Sequence, residues 1–130
     1  MEKEQFIYMC NVKNIHTGSC YVKLGYTSDI LKRMDQLEKR NIHYEYSHFR
    51  LFKHDVKSIG YIHDEQKIHN ANIKYRVAVK RDSMPEGYTE CYEYGFTDVL
   101  VRQLSKLNYK CVFDHEVYQQ EKVQPMFEWV

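Results

Sequence analysis

The chain has 130 residues, of which 43% are hydrophobic and 28% are charged, with 19 basic and 18 acidic side chains. This length corresponds to one domain with a buried core, and the composition is not that of a disordered segment. The formal net charge of +1 excludes a bulk polycation, so any nucleic-acid binding must use a local patch. No run of eighteen apolar residues occurs, which predicts that no helix spans a membrane.

The first third of the chain predicts a β-hairpin followed by a helix. Residues 6–12 and 20–25 are rich in aromatic and β-branched side chains, and a turn segment with a single glycine separates them. Thr27, Ser28 and Asp29 can cap a helix that follows them. Its buried stripe is predicted from the helical spacing of apolar side chains, namely Ile30, Leu31, Met34 and Leu37.

The rest of the chain predicts one more strand and two more helices. Residues 44–53 alternate in aromatic character and predict a third strand. Asp55 is a plausible cap for a helix that reaches about residue 75, with Ile59, Ile62 and Ile73 on one face. Residues 84–87 predict a turn, residues 96–107 a third amphipathic helix, and residues 109–113 a short edge strand. The tail from 114 to 130 has no assignment.

This order of elements predicts an α/β (α+β) fold, a small and mainly antiparallel sheet covered by helices. The elements do not alternate as βαβ units, and no Gly-x-Gly-x-x-Gly segment occurs, so a dinucleotide-binding fold is excluded. The four cysteines form no Cys-x-x-Cys pair, and the N-terminus has no secretory pattern, so free thiols in the cytoplasm are expected. A zinc site built from these cysteines and from histidines remains an alternative.

Several side chains of chemical interest are predicted to share faces of these elements. Tyr8 and Lys23 can lie on one face of the hairpin if the strand register allows it. Arg33 borders the buried stripe of the first helix. Glu65 and His69 are four residues apart and share one side of the second helix. A charged group that is held against an apolar face needs a partner or a metal ion.

Taken together, these segments resemble the GIY-YIG endonuclease superfamily, and in particular its phage-type branch with a Lys-Ile-Gly form of the second motif. The resemblance runs from about residue 6 to residue 94 and is carried by FIY (6–8), VKLGYTS (22–28), LKRM (31–34) with Leu37, and ExxIH (65–69). It implies a three-stranded antiparallel sheet flanked by helices. Residues 1–95 would form the catalytic module, and residues 96–130 would pack on the same single domain as a helix, a short strand and a tail.

The resemblance also implies roles for individual residues. Tyr8 matches the first-motif tyrosine, Lys23 replaces the second-motif tyrosine, Arg33 matches the helix arginine, and Glu65 matches the metal-binding glutamate. Tyr26, His69 and Glu90 are expected to contact the substrate. The sequence departs from the pattern at Phe6, where the family has glycine, and at Leu37, where the family often has tyrosine or histidine.

These residue types suit the hydrolysis of a DNA phosphodiester bond. Arg33 offers a planar fork of donors for phosphate oxygens, and Lys23 adds a compact positive charge. Glu65 can anchor Mg²⁺ or Mn²⁺, because Mg²⁺ needs only one or two carboxylates. Tyr8 is expected to act as general base or to orient water, with the neighbouring positive groups favouring its phenolate.

Alternatives to catalysis remain at this stage. A catalytically silent module of the same fold, binding nucleic acid or protein, is favoured by the departures at Phe6 and Leu37. A role in phage–host conflict fits either function, with the protein being phage-encoded and acting inside the host cell. DNA is the expected partner, no membrane is expected, and a homodimer or a protein partner is a further possibility that no motif specifies.

Overall fold

A computed structural model describes residues 4–40, 42–79, 84 and 88–114. The turn predicted at residues 85–87 and the tail at residues 115–130 lie outside the described residues. The strands and helices are, in chain order, β1 (Phe6–Asn14), β2 (Cys20–Thr27), α1 (Ile30–Arg40), β3 (Tyr44–His54), α2 (Tyr61–Ala71), β4 (Cys91–Glu93), α3 (Thr97–Lys106) and β5 (Tyr109–Asp114). A single-turn 3₁₀ helix, Ile73–Tyr75, follows α2 in the chain, and a second one, Tyr94–Phe96, directly precedes α3.

The five strands form one antiparallel sheet in the order β4-β2-β1-β3-β5. The α+β class and the antiparallel character are confirmed, whereas the count of three strands is wrong. β5 lies at the edge beside β3, where a short edge strand was expected. β4 has only three residues, too few for an alternating pattern to be recognised in the sequence. In the described part of the chain, no helix is long and apolar enough to cross a membrane.

Each face of the sheet buries its own apolar cluster. On the α2 face, strand residues such as Ile7 and Leu24 pack with Ile68 of α2 and Leu104 of α3. On the α1 face, the opposite set of strand residues packs with Ile30 and Met34 of α1, and this set includes Tyr8, Cys10, Val12 and Leu51. Because side chains alternate along a strand, neighbours such as Ile7 and Tyr8 belong to opposite clusters.

The start of α1 follows the sequence prediction. The backbone N–H of Asp29 donates to Thr27 Oγ1 at 2.9 Å, and the backbone N–H of Lys32 donates to Asp29 Oδ1 at 3.2 Å. These bonds satisfy amide groups that the first turn of a helix leaves without partners. The buried stripe is only partly as predicted, since Leu31 is 78% exposed. The side chain of Leu37 lies outside the described residues.

The second helix differs from its prediction in its bounds and in its buried face. It begins after Gly60, whose φ of 81° is left-handed, rather than after Asp55, and it ends at Ala71 rather than near residue 75. Its buried residues are Tyr61, Glu65, Ile68 and His69. The three isoleucines of the predicted face, Ile59, Ile62 and Ile73, are exposed. The apolar periodicity failed here because two polar side chains occupy the buried stripe.

The hairpin register places Tyr8 directly opposite Gly25. A Cβ atom added at Gly25 would lie 2.5 Å from both Cζ and the hydroxyl oxygen of Tyr8, which is closer than real Cβ contacts come. The Tyr8 ring therefore occupies the space that a side chain at position 25 would need. The Tyr8 ring, and not the backbone conformation of the strand, therefore requires glycine at position 25.

We predict that Gly25→Ala lowers the free energy of unfolding by about 1–3 kcal/mol, because the Tyr8 ring must shift to admit the methyl group. Urea denaturation followed by circular dichroism measures this change. Gly95→Ala is the matched control, since a Cβ atom at Gly95 meets nothing within 4 Å. Equal stability of the two variants would contradict the packing argument.

Candidate active site

One polar cluster on the α1 face joins Tyr8, Lys23 and Glu90. The Nζ atom of Lys23 donates hydrogen bonds to the Tyr8 hydroxyl oxygen and, at 2.8 Å, to Glu90 Oε2. Tyr8 and Lys23 are each 1% exposed, while the Glu90 side chain is 27% exposed. A buried ammonium group thus has two oxygen partners, and one of them reaches solvent.

The protonation of this cluster follows from burial and from its charges. Burial raises the pKa of Tyr8 above 10.0, and this effect exceeds the opposing influence of Lys23. Burial alone would lower the pKa of Lys23, but the facing oxygens of Tyr8 and Glu90 raise it well above 10.5. The lysine therefore stays charged and the tyrosine stays protonated at neutral pH. Lys23 lowers the pKa of Tyr8, as expected of a neighbouring cation, but burial of the hydroxyl group raises it by more.

Two buried thiols complete the surroundings of Lys23. Cys10 lies opposite Lys23 in the β1–β2 register, and Cys91 lies opposite it in the β2–β4 register. Burial raises the pKa of both thiols to about 12, although Lys23 acts in the other direction. Neither thiol is in a disulfide and both are protonated, and among the described residues no group of three or more His, Cys, Asp or Glu side chains can hold a metal ion. The zinc alternative has no support in this part of the chain.

A second polar cluster lies on the α2 face and joins Glu65, His69 and Tyr92. The Nε2 atom of His69 is 2.9 Å from Glu65 Oε1 and 3.0 Å from the carbonyl oxygen of Leu24, and Nδ1 is 2.7 Å from the Tyr92 hydroxyl. Because Nε2 faces two acceptors, it carries a proton. Burial raises the pKa of Tyr92 to about 12, so its hydroxyl keeps its proton and can donate to Nδ1.

Glu65 is a buried carboxylate with an incomplete set of partners. Its side chain is 3% exposed, and its Oε1 atom accepts no hydrogen bond among the described residues. The nearby Nε2 of His69 does not satisfy it, because the bond from that nitrogen goes to Leu24. A buried carboxylate oxygen that lacks a donor is suited to a cation. Glu65 therefore fits the single carboxylate ligand that Mg²⁺ requires, with no second carboxylate beside it.

The structure brings some of the predicted site residues together and separates others. Tyr8 and Lys23 meet, and Glu90 joins them. Glu65 belongs to the other cluster, and within the described residues no hydrogen bond or ion pair links it to Tyr8 or Lys23. The predicted convergence of Glu65 with these two residues is therefore not observed as direct contact, because α2 packs on the opposite face of the sheet.

The two clusters nevertheless adjoin at the β2–β4 edge of the sheet. Lys23 of the first cluster precedes Leu24, whose carbonyl belongs to the second. Glu90 acts on both, since its charge contributes to the raised pKa of Tyr8 and to that of Tyr92. The charge of Glu90 therefore acts on groups of both faces.

Arg33 and Tyr26 lie apart from these contacts, at the N-terminal end of α1. Both are half-buried and line a cavity of about 210 Å³, together with Thr27, Ser28, Asp29, Lys32 and Gln36. The cavity carries two cationic side chains, Lys32 and Arg33, beside the first turn of the helix. This arrangement offers donors to an anion.

Two residues near the clusters were not identified from the sequence. Tyr92 is fully buried, and its ring stacks on His69 at 5.7 Å between centroids. Arg76 forms a backbone bridge with Tyr92, donates from Nη1 to the Thr89 carbonyl at 3.1 Å, and lowers the pKa of Tyr92 in opposition to burial. The aromatic segment after Glu90 was the available signal for Tyr92, whereas no pattern in the sequence marked Arg76.

We predict that the fold loses stability as the pH rises from about 8 to about 11. The unfolded chain releases the protons of Cys10, Cys91 and Tyr92 near their ordinary values of 9.0 and 10.0, whereas the folded chain holds them until about 12. Each raised pKa therefore stabilises the fold at neutral pH, and this contribution is lost as the pH climbs toward 12. Urea unfolding at several pH values measures the slope.

The double variant Cys10→Ala/Cys91→Ala serves as the comparison, because it removes two of these groups. Its stability is expected to fall less steeply over the same pH range. A wild-type stability that does not change up to pH 11 would contradict the assignment of raised pKa values.

Comparison with known families gives one match. The model of the T5orf172 domain matches residues 5–107. No curated protein and no solved structure was found to match the chain. The matched range contains every residue of both clusters and the cavity at the start of α1.

Proposed function

Since the chain belongs to the T5orf172 domain family, a phage-associated and nuclease-like family related to GIY-YIG, we propose that it is a metal-dependent endonuclease that hydrolyses DNA phosphodiester bonds. Family membership supports a nuclease-like or DNA-binding module. The observation that carries the finer proposal is the buried Lys23 cation with its partners Tyr8 and Glu90, together with the buried carboxylate of Glu65 on the other face of the sheet.

Burial of these charges argues for function because it does not favour stability. Removing an ammonium and a carboxylate from water costs several kcal/mol, and apolar side chains of similar volume often hold a fold as well or better. Groups with strongly shifted pKa values also concentrate at functional sites. Tyr8, Lys23 and Tyr92 all have raised pKa values and lie on the neighbouring strands β1, β2 and β4.

We assign the residues of the α1 face to the phosphate and to water. Lys23 supplies a fixed positive charge, since its high pKa keeps it protonated. Tyr8 accepts a hydrogen bond from Lys23, so its own O–H remains to donate. Because its pKa is raised, Tyr8 acts as the group that orients water or a phosphate oxygen rather than as a resting phenolate. Arg33 binds phosphate oxygens through its guanidinium group.

On the α2 face, Glu65 is the residue that would hold Mg²⁺ or Mn²⁺. When bound, the ion supplies stabilisation of the leaving oxygen and a lowered pKa for a coordinated water. His69 lies 2.9 Å from Glu65 and limits the rotation of its carboxylate, while Tyr92 fixes the orientation of the imidazole. We assign the scissile phosphate to the β2–β4 edge, where Lys23 of the first cluster and the Leu24 carbonyl of the second are neighbours in the chain.

We predict that the protein nicks supercoiled plasmid DNA in Mg²⁺ or Mn²⁺ and that Glu65→Gln reduces the rate by about 100-fold, as expected for removal of a charge-stabilising group. Glu93→Gln is the matched control, because Glu93 is an exposed carboxylate on β4 and belongs to neither cluster. Its rate should stay within about twofold of the wild type. Failure of the wild type to nick DNA with either ion would remove the endonuclease proposal.

A second function, DNA binding without cleavage, is favoured by one specific feature. Glu90 places a carboxylate against Lys23, where a phosphate oxygen would otherwise bind, and Tyr8 is held protonated. A module of this kind would use Arg33, Lys32 and neighbouring cations to contact the phosphate backbone. Its binding would depend steeply on salt.

For this second function we predict that Glu90→Gln binds duplex DNA more tightly than the wild type and with no nicking. Removal of the negative charge at position 90 lets Lys23 neutralise about one more phosphate, so the slope of log affinity against log salt concentration steepens by about 0.9. Fluorescence anisotropy at several salt concentrations measures the slope. An unchanged slope would show that Lys23 does not reach the phosphate backbone.

A further inference from the structure

A column of aromatic rings extends from the Glu65 cluster to the protein surface. Tyr92 stacks on His69 with an interplanar angle of 2°, and on its other neighbour, Phe96, with an angle of 14° and 5.2 Å between centroids. Phe96 in turn stacks on Tyr75 at 5.2 Å and 29°. Tyr92 is fully buried, whereas Tyr75 is 50% exposed. The column therefore begins beside a buried carboxylate and ends in solvent.

The outer end of the column is the ring of Tyr75, which is half exposed to solvent. One ring contact of Tyr75 is with Phe96, and among the described residues no other ring stacks on it. The Nζ atom of Lys74 lies 5.2 Å from the Tyr75 centroid. Because lysine is flexible and exposed here, it can move aside for a flat ligand while its charge stays close.

We propose that Tyr75 is a stacking site for an unpaired nucleobase, so that the substrate class includes single-stranded or extruded nucleotides. A base on Tyr75 would add a fifth ring to the column, and stacking of this kind accepts any base. The inference rests on the proposed function, since it specifies the nucleic acid that reaches the same site.

The charges around Tyr75 favour a nucleotide over an uncharged aromatic ligand. Lys74 and Arg76 flank Tyr75 in the chain, and Arg76 lies close enough to Tyr92 to lower its pKa. A nucleotide whose base stacks on Tyr75 thus has the Lys74 cation near the ring for its phosphates, with Arg76 next in the chain. Arg76 also contacts Thr89, the residue before Glu90. A nucleic-acid strand bound at Tyr75 and Arg76 would therefore run toward the β2–β4 edge.

The experiment compares a single-stranded DNA oligonucleotide with an abasic oligonucleotide of the same length and phosphate number. We expect the wild type to bind the first about tenfold more tightly, a typical gain for one stacked base. Tyr75→Ala should remove this difference, and Tyr75→Phe should keep it because the ring remains. Tyr94→Ala is the control, since Tyr94 is 51% exposed and contributes no ring to the column. Fluorescence anisotropy at one fixed salt concentration measures all affinities.

The possible results separate this inference from the function on which it rests. Equal affinity of the wild type for the two oligonucleotides, with DNA binding or nicking intact, overturns the stacking site and leaves the proposed function standing. An equal loss in Tyr75→Ala and Tyr94→Ala also overturns it, because the effect would then be general. Absence of binding to any DNA defeats both. The site is supported if Tyr75→Phe keeps the tenfold difference and Tyr75→Ala loses it.

Discussion

The buried ammonium group of Lys23 is the constraint on which the rest of the site depends. It needs oxygen partners inside the sheet, and the hairpin register supplies the first, since Tyr8 lies on the same face two residues from Cys10, the partner of Lys23. The second partner, Glu90, comes from 67 residues further along the chain. The absence of a side chain at Gly25 leaves room for the tyrosine ring. The strand register, the glycine at position 25 and the position of Glu90 just before β4 thus all serve to partner the charge of Lys23.

How much of the fold the sequence predicts depends on the range of the interactions. The hairpin and the cap of α1 depend on near neighbours, and both were predicted correctly, including the hydrogen bond that Thr27 accepts. The buried face of α2 was predicted wrongly, because its stripe carries Glu65 and His69 while isoleucines face solvent. Hydrophobic periodicity assumes that burial selects apolar side chains, and it fails where a helix buries polar groups for another purpose.

In the candidate site as well, short-range relationships were predicted from the sequence and long-range ones were not. Alternation along β1 and β2 was enough to expect Tyr8 and Lys23 on one face, and they form a hydrogen bond. The position of Glu65 depends on which face of the sheet α2 covers, a long-range choice that no local pattern encodes. The family resemblance supplied Glu90 as a substrate contact but not its ion pair with Lys23. The direction of the Tyr8 pKa was missed because it depends on the depth of burial.

The central claim is that the Tyr8–Lys23–Glu90 cluster exists for phosphate chemistry and not for folding. The most direct measurement is made on the triple variant Tyr8→Phe/Lys23→Met/Glu90→Gln, in which the two buried polar side chains become apolar and the half-exposed carboxylate becomes neutral. Its free energy of unfolding and its DNA binding and nicking are measured beside the wild type. The account predicts a free energy of unfolding equal to or above that of the wild type, with DNA cleavage lost. A variant that cleaves DNA like the wild type, or one that no longer folds, would contradict it.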